Sequence, residues 1–167
     1  PKVIVHVGGM LPDNAAYSVD AAYDRLANSL AGLSTEGVEF LLENLPPYPW
    51  YFGGRWFGHI LVDAETTAQF CADLDINLCL DVSHAMLECN RSRTSIFDFA
   101  ERLLPFVRHL HIADGAGVSS EGLQIGEGQI NFARLLPPLL ATGAKLVPEI
   151  WNGHHHNAHG FQVALTR

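Results

Sequence analysis

The sequence predicts an α/β fold built on a parallel sheet, and three observations carry that expectation. Five short apolar runs recur along the chain, at residues 3–7, 38–42, 76–80, 107–112 and 145–150. They are near-continuous rather than alternating, as expected for strands covered on both faces. Segments with helical spacing lie between them, so strand and helix alternate five times.

Taken in order, the first run carries His6 and leads into Gly8-Gly9. Residues 15–33 repeat apolar side chains at helical spacing and stop near Gly32. The second run ends in Glu43-Asn44, and Asp63 is placed to cap a helix over 63–74. The third ends in Asp81, with His84 three residues on. Ser95 and Asp98 resemble a capping box and open a helix expected over 95–107. The fourth run is less clean, since it contains Arg108 and His109; it reaches His111, with Asp114 three residues on. A helix over 131–142 stops at Gly143, and Pro137 and Pro138 must kink or shorten it. The fifth run carries Glu149, and a final helical segment covers 160–167. With no linker or low-complexity stretch, residues 1–167 are expected to form one domain.

Composition narrows the function classes. A hydrophobic content of 48% excludes a disordered chain. The net charge of −8 repels phosphate backbones and counts against nucleic acid as a partner. No apolar run approaches the roughly 20 residues that cross a bilayer, so no membrane partner is expected. Cys71, Cys79 and Cys89 lack zinc-ribbon spacing and are odd in number, which fits a reducing, cytoplasmic setting.

Chemistry concentrates where the runs end. In a β/α barrel those ends converge on one face, which holds the active site. Glu43, Asp81, His111 and Glu149 would then meet around one point, and three carboxylates with one imidazole suit Mn²⁺, Mg²⁺, Co²⁺ or Zn²⁺. Each residue alone has a bland reading. Glu43 can be a solvated loop residue, Asp81 a helix cap, His84 a satisfied core histidine, and His111 with Asp114 a structural pair. Glu149 inside Leu146-Val147-Pro148-Glu149-Ile150-Trp151 resists that reading, because an unpartnered carboxylate there carries a desolvation cost. Gly126-Glu127-Gly128 lacks a P-loop tail and reads as a tight loop beside the site. His154, His155, His156 and His159 read as a polar loop covering the site, with adventitious metal binding as the alternative.

Leu42-Glu43-Asn44, Leu80-Asp81-Val82-Ser83-His84-Ala85, His109-Leu110-His111-Ile112-Ala113-Asp114 and Pro148-Glu149-Ile150 resemble the xylose-isomerase-like barrels, which include sugar-phosphate isomerases, epimerases and apurinic-site endonucleases. The loop Glu121–Gly128 and the stretch Glu149–His154 are also similar to barrel domains attached to sialic-acid-synthase-like proteins. The resemblance implies a (β/α)₈ TIM barrel, present here as a C-terminal fragment of about five βα units. It implies one divalent ion held by Glu43, Asp81, His111 and Glu149. Glu43 and Glu149 would move a proton between adjacent carbons of a small sugar through a metal-stabilised enediolate. His6, His84, Asn44 and Trp151 would surround the substrate, with His84 touching it or a second metal.

Two other readings stand beside this one. An apurinic-site endonuclease would need an Asp-x-His pair where Ser120 and Gly122 stand. A non-catalytic sugar-binding module would keep the fold without turnover. An open five-stranded sheet exposes an edge, so association with another copy or with the missing part of the barrel is expected.

Overall fold

Five strands hydrogen-bond into one parallel sheet in the computed structural model, which describes residues 1–12, 18–51 and 53–167. They are β1 (Lys2–Val5), β2 (Glu39–Glu43), β3 (Asn77–Asp81), β4 (Val107–Ile112) and β5 (Lys145–Pro148). Their order in the sheet is their order in the chain, so the sheet curls as one side of a barrel. This is the α/β half-barrel that the alternation of runs and helices predicts.

The intervening helices are α1 (Val19–Ala31), α2 (Ala64–Leu74), α3 (Val82–Ser92), α4 (Ile96–Leu103), α5 (Phe132–Leu140) and α6 (His155–Ala164). The expected caps act as such. Asp63 accepts from the Thr66 N–H, and Ser95 accepts from those of Phe97 and Asp98. Pro105 ends α4 early in a 3₁₀ turn over Leu104–Phe106. Both prolines lie inside α5, which closes at Leu140, two residues short of the expected end. The first positions expected for α1, residues 15–17, lie outside the described residues.

Two segments add to these expectations. Sequence patterning sets no bounds for a helix capped by Asp81; α3 fills 82–92 and starts directly from the last residue of β3. The segment 154–159 keeps the irregular character expected of it: although α6 is bounded from His155, the backbone is left-handed at His156, Asn157 and Ala158, and regular helix follows.

The two-residue period of the strands sorts their side chains. Leu42, Leu78, Leu80, Leu110 and Ile112 point to the helices and form the core with Leu103, Leu135 and Leu139. Burying each such side chain contributes about 1.5–3 kcal/mol. The opposite face presents Glu43, Cys79, Asp81, His109 and His111. Arg108 and His109 therefore do not disrupt β4, because they fall on different faces. Arg108 turns back to the carbonyls of Pro105 and Val107.

Candidate metal centre

Parallel registry brings the strand ends to one rim. Asp81 pairs with His111 across β3 and β4, and the Glu149 N–H donates to the Ile112 carbonyl, continuing the β4–β5 ladder by one residue. Glu43 closes β2. One donor atom from each of Glu43, Asp81, His111 and Glu149 lies within 4.8 Å of the others. His111 Nδ1 stands 3.3 Å from Glu43 Oε1 and 3.3 Å from Glu149 Oε1. Cis donors about 2.1 Å from a cation lie about 3.0 Å apart, so this spacing fits a divalent ion with little adjustment.

The supports of these side chains are equally specific. Asp81 Oδ1 accepts from the His84 N–H (2.8 Å) and the Ser83 hydroxyl (2.8 Å), capping α3. Its cap bonds use one oxygen, which leaves Oδ2, 3.9 Å from His84 Nδ1, free of the cap. Asn44 is fully buried; its Nδ2 donates to the Asp81 carbonyl and its Oδ1 accepts from the Asp81 N–H. With both polar ends bound to Asp81, Asn44 acts on the site by positioning that residue.

His84 Nδ1 lies 2.9 Å from the Asn44 carbonyl, an acceptor, so Nδ1 carries a proton. The same ring is 3.7 Å from Glu43 Oε1 and 3.9 Å from Asp81 Oδ2. His6 Nε2 stands 4.0 Å from Glu43 Oε1, and His6, Glu43 and His84 form a second cluster of potential ligands.

Burial pushes the carboxyl of Glu43 up, but the His111 hydrogen bond and the neighbouring histidines outweigh it and hold it below the usual range. Burial drives Glu149 the other way, above the usual range, with Asp81 and Glu43 adding repulsion. His111 resists the lowering effect of burial because Glu43, Glu149 and Asp81 surround it, and it ends up raised.

Other expected residues stand apart. Trp151 is 62% exposed, its backbone N–H donates to the Gly122 carbonyl, and its indole lies against Gly122. Asp114 does not pair with His111. It is fully buried and accepts from the N–H groups of Gly115, Gly126 and Ile130, fixing the 126–128 segment as the tight loop expected. A Cβ on Gly128 would stand 2.3 Å from Asp114 Oδ1, which explains the glycine. His154, His155, His156 and His159 join neither ligand cluster among the described residues.

Glu121 is the residue that patterning overlooks as a member of the site. Its Oε2 lies 3.4 Å from His84 Nε2, with only 20% of the side chain exposed. Nothing in the local sequence distinguishes it from an ordinary loop carboxylate.

The chain matches the xylose isomerase-like TIM barrel family over residues 2–165. It belongs to that family. A curated relative, the uncharacterized protein MJ1311 of Methanocaldococcus jannaschii, is 26% identical over 93% of this chain and 52% of its own length. Among solved structures, a D-tagatose 3-epimerase-like protein is 24% identical, with a TM-score of 0.72 over 99% of this chain and 60% of that one. The 3-keto-D-glucoside 4-epimerase YcjR of E. coli is 20% identical, with a TM-score of 0.66 over 93% and 56%. Endonuclease IV of Thermus thermophilus is 20% identical, with a TM-score of 0.61 over 99% and 60%. The chain thus spans about half the length of the curated relative and 60% or less of these three structures. Among the described residues no helix is long and apolar enough to cross a membrane.

Proposed function

We propose that this member of the xylose isomerase-like family carries the catalytic wall of a metal-dependent isomerase or epimerase acting on a small sugar or sugar derivative. The observation that carries the proposal is the convergence of Glu43, Asp81, His111 and Glu149 from four successive strand ends. Three carboxylates and an imidazole, with no thiolate, match the preferences of Mn²⁺, Mg²⁺, Co²⁺ or Zn²⁺. A divalent ion bound there supplies Lewis acidity, polarising a carbonyl and acidifying the adjacent C–H.

The chain's own groups do the rest. Glu43 and Glu149 flank His111 Nδ1 and carry opposite pKa tendencies, which suits one to accept a proton and the other to return it. His111 and Asp81 hold the cluster together, and His6 and His84 line its edge. The epimerases among the similar folds support this chemistry. Endonuclease chemistry gains less support: Ser120 and Gly122 offer no ligand pair, and the Trp151 indole fills the space that a side chain at 122 would take.

The test is hydrogen exchange in deuterated water with Mn²⁺ and a panel of small ketoses, followed by NMR. Wild-type protein exchanges a carbon-bound hydrogen of one sugar. Glu149→Gln lowers the rate at least about 100-fold, the usual worth of a general acid–base group, and leaves the melting temperature near wild type. Metal-loaded wild type that exchanges no sugar, or Glu149→Gln that turns over normally, overturns the reading.

A further inference from the structure

The strand Ser120–Leu123 pairs antiparallel with Asp114–Ala116 and breaks register between Ser120 and Leu123. Gly122 sits there at φ +67°, with the Trp151 indole where a Cβ would be. This irregularity places Glu121 over the N-terminal turn of α3, its Oε2 3.4 Å from His84 Nε2. His84 in turn donates from Nδ1 to the carbonyl of Asn44, the residue after Glu43. A chain of polar groups therefore runs from the end of β2 through His84 to Glu121.

Charge around this edge is one-sided. Among the described residues, the ion pairs of Glu43, Glu121 and Glu149 are all with histidines. The ion pairs of Lys2, Arg91 and Arg102 are made elsewhere, with Glu39, Glu88 and Glu65.

We propose that Glu121 and His84 form a hydroxyl-reading pair that makes this site select an uncharged polyhydroxylated substrate over its phosphate ester. This rests on the sugar-transforming reading above and names its substrate class. With its proton on Nδ1, His84 presents Nε2 as an acceptor beside the Glu121 carboxylate, so adjacent hydroxyls of one sugar can donate to both. Phosphate oxygens only accept, and the group carries close to two negative charges at neutral pH. Beside four carboxylates it meets repulsion that no Lys or Arg ion pair among the described residues relieves, which is discrimination by an unfavourable contact.

The test is calorimetric titration of the full Mn²⁺-loaded chain with D-fructose and with D-fructose 6-phosphate, beside the exchange assay. The proposal expects the neutral sugar to bind at least about tenfold tighter than the ester, the scale of one hydrogen bond to a charged group. Glu121→Gln keeps its metal but weakens sugar binding and narrows the preference, and Glu121→Asp restores part of it. Equal binding of the two ligands, an unchanged preference in Glu121→Gln, or loss of metal from that variant overturns the proposal. Binding with the stated preference but no hydrogen exchange upholds it while sinking the isomerase reading. Exchange without the preference does the reverse, and binding of neither ligand overturns it.

Discussion

The Nδ1 atom of His111 is shared between two carboxylates and is also the atom proposed to bind the metal. Its Nδ1 lies at equal distance from two glutamate oxygens, and those carboxylates hold its pKa above the ordinary 6.5. Without metal, the proton on His111 contributes stability that is fully present below 6.5 and lost as pH rises through the raised value. A cation needs that nitrogen deprotonated, and the raised pKa of Glu149 adds a second proton competitor. Mn²⁺ affinity is therefore expected to climb as pH rises above 6.5 through the raised value, while the contribution of His111 to metal-free stability declines over the same interval. Thermal melts with and without Mn²⁺ check both signs, and a metal-induced shift independent of pH contradicts the account. At this scale the sequence was legible for the convergence of Glu43, Asp81, His111 and Glu149, because parallel strand ends meet at one rim. It was not legible for Asp114 and Glu121. Both are carboxylates beyond β4, and only the folded loop decides that one serves backbone N–H groups and the other the site.

The junction of β3 and α3 rests on Asp81, which caps the helix through Oδ1 and, in the proposed reading, keeps Oδ2 for the metal. The duties separate by substitution. Asn caps a helix about as well as Asp, so Asp81→Asn is expected to keep α3 and lose most of the metal affinity. Asp81→Ala loses the affinity and about 1 kcal/mol of stability besides. Melting curves and metal titrations of the two variants make the comparison; an Asn variant that binds Mn²⁺ like wild type removes Asp81 from the ligand set. This junction also explains why patterning sets no bounds for the helix that Asp81 caps. No turn residues separate β3 from α3, so the change from a two-residue to a 3.6-residue period falls on a single position. The five apolar runs were legible to within two residues because burial on the helix-facing side leaves little freedom in register.

Across the whole molecule, the five-stranded sheet leaves β1 and β5 with one strand neighbour each among the described residues. The rim of the sheet is where all the acidic ligands gather, and four of its five strands contribute to one cluster. A cation bound there ties together segments more than 100 residues apart in sequence, from Glu43 to Glu149. Binding to the folded state alone stabilises it by about 2.7 kcal/mol at a free ion concentration of about 100 Kd. The most direct measurement is calorimetric titration of metal-free protein with Mn²⁺, repeated on the Asp81→Asn, His111→Ala double variant. The account predicts one ion per chain in the wild type and none at comparable concentrations in the double variant. Failure of the wild type to bind, or binding that survives the double substitution, would contradict it.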